Sequence, residues 1–213
     1  MRHGLFISFE GGEASGKTVQ VKRLADSLGR DGHHVVLTRE PGGTPLAERV
    51  RDIVLHAQEV PLGPEAQVLL FSAARAANVR DVIRPALSLG KIVITDRFLD
   101  STAVYQGAAQ GLDPDQVAAV TAFAVGETRP RRTYLLDLPV DTALARRSGE
   151  AGRQWDRFEV GEREFHERLR EAYLRLAAAE PDRILVVDAD REPDAIARDI
   201  RRDADRLLAA SRP

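Results

Sequence analysis

The chain contains no cysteine, which excludes disulfides, thiolate metal sites and cysteine nucleophiles and fits a reducing compartment. It has no surplus of either charge: 31 basic residues face 33 acidic ones across 213 residues, a formal net charge of −2. No global basic field is available to hold nucleic acid or an anionic membrane surface. Long apolar runs are also missing. Met-Arg-His-Gly is followed by the short apolar stretch Leu5 to Phe9, too short for a signal-peptide core or a membrane span. Cytoplasm is the expected location, with no nucleic-acid or membrane partner. The five histidines (His3, His33, His34, His56, His166) are scattered without metal-ligand spacing. No internal repeat, low-complexity tract or dividing linker interrupts the chain, so a single domain over residues 1–213 is expected.

What is present is an alternation. Leu5–Glu10, His34–Arg39, Lys91–Asp96, Arg132–Leu138 and Arg183–Asp188 read as strands, several apolar almost throughout as in a covered parallel sheet. Helical spacing links Val21, Leu24, Ala25 and Leu28 within Thr18–Leu28, and Ile196, Ile200, Ala204, Leu207 and Leu208 near the C-terminus. A long helical segment runs from Pro64 to Leu89 and is closed by Gly90, with a kink or break expected after Arg84 because Pro85 follows. The order predicts an α/β fold: a doubly wound, parallel, five-stranded sheet with helices on both faces. Ligands in such sheets lie beyond the carboxyl ends of the strands.

The first strand runs directly into Gly11-Gly12-Glu13-Ala14-Ser15-Gly16-Lys17-Thr18, a phosphate-binding loop in its strand–loop–helix context. The glycines let successive N–H groups turn inward on phosphate oxygens, and the helix dipole adds to them. Lys17 is expected to reach the β- and γ-phosphates of ATP, and the Thr18 hydroxyl to bind Mg²⁺. Chance would place this pattern in well under about one chain in a hundred of this size.

A guanine-reading Asn-Lys-x-Asp is absent, and no Lys or Arg occupies the variable loop positions Gly12 to Ser15. Further positive charge on the transferring phosphoryl must come from elsewhere. Arg146, Arg147, Arg153 and Arg157 supply it in a segment with Gly149 and Gly152, read as a lid over approximately residues 141–160. Asp96, closing a buried strand, is placed to hold Mg²⁺ through water. Arg97 beside it suits an acceptor phosphate, since a guanidinium fork matches phosphate oxygens.

Thr38-Arg39-Glu40-Pro41-Gly42-Gly43-Thr44-Pro45-Leu46-Ala47-Glu48 resembles the second-strand signature of bacterial thymidylate kinases. The resemblance continues in Asp96-Arg97-Phe98, Asp100-Ser101-Thr102 and Tyr105-Gln106-Gly107. It extends to Leu69-Leu70-Phe71-Ser72-Ala73-Ala74-Arg75-Ala76 and to Asp156-Arg157-Phe158-Glu159. It covers nearly the whole chain. It implies transfer of the ATP γ-phosphoryl to dTMP, giving ADP and dTDP, with Mg²⁺ and in a homodimer.

Carried onto this chain, the resemblance has Phe71 stack on thymine and Arg75 bond its edge; residues four apart share a helix face. Thr102, with Ser101 second, faces N3 of the base. Arg97 holds the acceptor phosphate, helped by Arg51 and Arg39, and Tyr105 lies beneath the sugar. Glu13 orients phosphate donors or metal-bound water and is no strong base. Arg153 ranks first for the transferring phosphoryl, ahead of Arg157 and Arg147. Trp155, the one tryptophan, is expected to report lid closure. Two other readings stay open: a kinase for another nucleoside monophosphate, and a P-loop regulatory nucleotide-binding protein.

Overall fold

A computed structural model describes residues 4–57, 59–148 and 163–210. Five strands form one sheet: β1 (Leu5–Glu10), β2 (Val35–Arg39), β3 (Ile92–Asp96), β4 (Arg132–Asp137) and β5 (Ile184–Asp188). Their order is β2-β3-β1-β4-β5, and every neighbouring pair is parallel. The order reverses around β1, with β2 and β3 on one side and β4 and β5 on the other. The carboxyl end of β1 therefore opens the crevice where such sheets bind ligands.

Period-two alternation sends Leu5, Ile7 and Phe9 to one face, where they join Leu24, Leu28, Ile94, Tyr134, Leu136, Ile196 and Ile200 in an apolar cluster. That face is covered by α1 (Lys17–Arg30) and α9 (Pro193–Ala210). The helical spacing expected of both appears in their buried residues: Val21, Leu24, Ala25 and Leu28 in α1, and Ile196, Ile200, Ala204 and Leu207 in α9. Fully burying a side chain such as Leu28 contributes roughly 1.5–3 kcal/mol.

The opposite face of β1 carries Phe6, Ser8 and Glu10, becoming polar toward the crevice. Phe6 packs in an apolar cluster with Val93, Phe98 and Val125. Ser8 bonds Thr133 at 2.7 Å, and Arg183 reaches both Thr133 (2.9 Å) and Asp100 (2.8 Å). These polar groups are buried because they satisfy one another. This face is covered by α2 (Pro45–Arg51), α3 (Pro64–Asn78), α4 (Arg84–Ser88), α5 (Leu99–Thr102), α6 (Pro114–Val125) and α8 (Arg163–Ala179); α7 (Val140–Ser148) follows β4.

One sequence expectation shifts in place, and one lies largely outside the described residues. The disturbance expected after Arg84 is no break and lies earlier, in a wide π-helical turn over Val79–Ile83, where the Arg84 N–H bonds the Val79 carbonyl. Pro85 lacks an N–H and its ring crowds the carbonyl four residues back. Widening the preceding turn accommodates both, and the helix continues as α4. The expected lid begins as helix α7, while the remainder of it, with Arg153, Trp155 and Arg157, lies outside the described residues. Among the described residues, no helix is long and apolar enough to cross a membrane.

Candidate active site

At the end of β1, Gly11 passes so close to β4 that a Cβ there would lie 2.5 Å from the Leu136 carbonyl oxygen. Gly16, at φ +85°, takes the left-handed conformation that turns the chain into α1. Ala14 also has positive φ, at 54°; a non-glycine residue there costs on the order of 1–2 kcal/mol. Lys17, the first residue of α1, folds back and donates to the carbonyls of Gly11 (3.1 Å) and Gly12 (2.7 Å). Burial, then the nearby Arg97 charge, lowers the Lys17 ammonium to about 8. No side chain at the N-cap caps α1, so its first-turn N–H groups are available to anionic oxygens. A buried cation with uncapped amides around it fits the triphosphate of ATP.

The Thr18 hydroxyl donates to Asp96 Oδ2 at 2.6 Å, joining the head of α1 to the end of β3. Among the described residues no cluster of three or more metal-binding side chains exists. One hydroxyl and one carboxylate suit Mg²⁺, which keeps waters and completes its shell with substrate phosphates. These residues fit the ion.

Opposite Lys17 stands Arg97. Its φ is +69°, and its guanidinium donates to Glu13 at 2.6 Å, to the Gly11 carbonyl and Ser101 Oγ at 3.2 Å each, and lies 5.1 Å from the centre of the Tyr105 ring. The Tyr105 hydroxyl donates to the same Glu13 oxygen at 2.7 Å. Burial works against charge on Glu13, but Arg97, then Lys17, then the Tyr105 bond outweigh it and hold the carboxyl at about 2. Glu13 is thus an acceptor that orients Arg97 and Tyr105, too acidic for a general base. Glu10, three residues earlier, is pushed the other way: burial and then Asp100 raise it to about 7.

Farther along, Phe71 and Arg75 project from α3 into the same cavity of about 790 Å³, which Arg39, Arg51, Arg97, Ser101, Thr102 and Tyr105 also line. Arg75 is buried. Its Nε donates to Glu40 (2.7 Å), and its Nη2 to Thr102 Oγ1 (3.0 Å) and the Phe98 carbonyl (3.1 Å). Among the described residues, Arg75 Nη1 has no partner, nor has Glu40 Oε1. Burial raises Glu40 to about 7 despite the pull of Arg75. A buried donor left unmet costs about 1–3 kcal/mol, which a ligand bonding Nη1 would recover. Arg39 pairs with Glu48 through both carboxylate oxygens, at 2.9 and 3.1 Å, and Arg51 donates to the Pro41 carbonyl at 2.9 Å.

The structure brings every sequence-predicted side chain from Glu13 to Thr18, with Asp96 and the acceptor residues, around one cavity. Arg153 and Arg157 fall outside the described residues. Arg147 lines the cavity and bonds His166 Nε2 at 3.2 Å. Sequence reasoning missed Glu40 as the partner of Arg75; Arg146, one of the expected lid arginines, reaches the Ala14 carbonyl (3.4 Å) and the Ala189 carbonyl (3.1 Å). The Glu40 pairing spans 35 positions, a contact that no local spacing marks.

The family model described as thymidylate kinase matches residues 9–200. The chain belongs to the thymidylate kinase family. It is 50% identical over 195 residues to the thymidylate kinase of Syntrophotalea carbinolica, covering 90% of each chain. It is 47% identical over 204 residues to that of Symbiobacterium thermophilum, covering 96% of this chain and 94% of the relative. The crystal structure of thymidylate kinase from Ehrlichia chaffeensis superposes with a TM-score of 0.77 at 32% identity, covering 95% of this chain and 99% of that one. Membership makes this chain a phosphotransferase of the nucleoside monophosphate kinase class. The P-loop fold expected from the sequence is the fold observed.

Proposed function

We propose that this enzyme transfers the γ-phosphoryl of ATP to dTMP, giving ADP and dTDP. The observation carrying this reading is the single cavity joining the Lys17 cradle to Arg97, with Phe71 and Arg75 on the far wall. In this reading Gly11 to Thr18 grip the donor phosphates and Lys17 compensates charge on the moving group. Arg97, fixed by Glu13, aligns the acceptor phosphate; Arg39 and Arg51 add positive charge at the same end. That phosphate oxygen is already ionised at neutral pH, so no base is required, and catalysis is positioning plus charge compensation. Mg²⁺, held by Thr18 and through water by Asp96, would neutralise charge between the donor phosphates.

Phe71 offers a face for the thymine ring, Arg75 Nη1 an unpaired donor for its edge, and Thr102 and Ser101 hydroxyls for N3. Tyr105 fills the floor beneath the sugar. Arg153, Arg157 and Arg147 complete the charge over the transferring group. The test is ADP release with Mg-ATP against dTMP, dUMP, UMP, CMP, AMP and no acceptor. Release that depends on dTMP and falls away with ribonucleotides supports the reading. Turnover with another acceptor discards the thymine site, and slow release independent of acceptor favours a regulatory nucleotide-binding protein.

The proposal extends to a homodimer in the cytoplasm. Leu69 and Ala73 on α3 and Ala119, Ala122 and Phe123 on α6 form an exposed apolar face, with Phe123 94% exposed. A second copy would cover such a patch by two-fold symmetry.

A further inference from the structure

We propose that Glu10 is a positioning residue for the acceptor arginine: from the last position of β1 it caps helix α5 across the sheet and fixes the turn that carries Arg97. This rests on the acceptor role given to Arg97 above.

Arg97 holds a positive φ of 69°, a conformation a non-glycine residue keeps only where its surroundings over-determine it. Two bonds from consecutive residues of β1 clamp the peptides on either side. The Arg97 N–H donates to the Phe9 carbonyl at 2.9 Å, and the Phe98 N–H donates to Glu10 Oε1 at 2.7 Å. Helix α5 starts immediately afterwards, and its own N-cap residue, Phe98, makes no side-chain cap. Glu10 supplies that cap from the neighbouring strand, because its Oε1 also accepts from the Ser101 N–H at 3.3 Å. A carboxylate suits the N-terminal end of a helix, where unpaired N–H groups point outward.

The other oxygen is equally committed. Glu10 Oε2 accepts from Ser101 Oγ at 2.6 Å and from the Tyr173 hydroxyl at 2.9 Å. Tyr173 comes from α8 and also approaches Ser101 Oγ at 3.0 Å and Arg97 Nη1 at 3.5 Å. Four donors from three residues thus converge on one fully buried carboxylate. Glu10 does not bond Arg97 directly; it acts through the turn, through Ser101 and through Tyr173. Each of these touches either the guanidinium or the backbone beside it.

The substitutions follow from that geometry. Glu10→Ala removes the cap and frees the turn. Glu10→Gln keeps the shape and an oxygen for the two N–H groups, while the Ser101 and Tyr173 hydroxyls rotate to accept from its amide. Tyr173→Phe deletes one donor and leaves the cap.

The test measures dTMP and ATP binding separately by calorimetry, with steady-state kinetics, on wild type and the three variants. The expected result for Glu10→Ala is a loss of about tenfold or more in dTMP affinity and in kcat/KM for dTMP, with ATP affinity held within about twofold. Glu10→Gln should recover most of that loss, and Tyr173→Phe should shift dTMP KM by about threefold in the same direction. Unchanged dTMP parameters in Glu10→Ala overturn the proposal, as does an equal loss of ATP and dTMP binding, which marks general damage to β1. If Glu10→Ala does not fold, Tyr173→Phe decides, and an unmoved dTMP KM overturns the proposal. Wild type without dTMP-dependent turnover would instead remove the functional reading beneath it.

Discussion

The cradle proposed to hold the donor and the wall proposed to hold the acceptor line one cavity and are built in different ways. The cradle comes from eight consecutive residues, Gly11 to Thr18, and what it offers a phosphate is backbone N–H groups at a helix start without a side-chain cap and one lysine. The wall draws Glu13 from the loop, Arg75 from α3, Arg97 from the end of β3, Thr102 from α5 and Tyr105 from the turn after it. Its geometry lies in side-chain hydrogen bonds, several of them buried and charge-assisted. A backbone site tolerates any triphosphate of suitable shape. A side-chain site rejects ligands that leave its buried groups unpaired, so the proposed function assigns acceptor selectivity to the wall.

The comparison breaks most sharply at Lys17. Lys17→Ala should cut turnover by about 10³-fold or more while leaving circular dichroism and the melting profile native-like. Near-normal turnover in a well-folded variant would remove the cradle assignment.

A pH profile sharpens it. Lys17 is lowered to about 8 by burial, and its charged form is the one that attracts phosphate. As pH rises through 8 the ammonium loses its proton, so kcat/KM for ATP should fall by about tenfold per unit above that point. In kcat the same limb should move to higher pH, because bound phosphates favour the charged lysine. Lys17→Arg, whether fast or slow, should show no limb near 8, since arginine does not titrate there. A limb retained in that variant assigns it to another group.

The smallest effect belongs to the wall's floor. Tyr105 is buried and bonded to Glu13, so Tyr105→Ala opens space beneath the sugar and loosens Glu13. The deoxy-to-ribo preference, measured as a ratio of kcat/KM for dTMP and its ribonucleotide counterpart, should fall by about tenfold. An unchanged ratio would show that the sugar is read elsewhere.

The same difference in construction decides what the sequence discloses. The cradle is legible because consecutive residues define it and strand–loop–helix context confirms it. The sheet is legible for a similar reason: Leu5–Glu10 and Arg132–Asp137 are bounded apolar runs, and their ends shift by a residue at most. The resemblance names the residues proposed for the acceptor but not the contacts that support them. Glu40 meets Arg75, and Tyr173 meets Glu10, across 35 and 163 positions respectively. Short helices such as α2 and α5 also escaped, because one or two turns give too little periodicity to detect. Pro85 signalled a disturbance, yet the backbone absorbed it one turn earlier, in Val79–Ile83. Proline marks where a hydrogen bond is lost, and neighbouring packing selects where the helix adjusts.

Separate recognition of donor and acceptor follows from the proposed sites. Its most direct test is calorimetric titration of dTMP, and separately of a non-hydrolysable ATP analogue, into wild type and Arg75→Ala. The variant should lose dTMP affinity by about tenfold or more while binding the ATP analogue as wild type does. Unchanged dTMP affinity, or a parallel loss of both ligands, would contradict it.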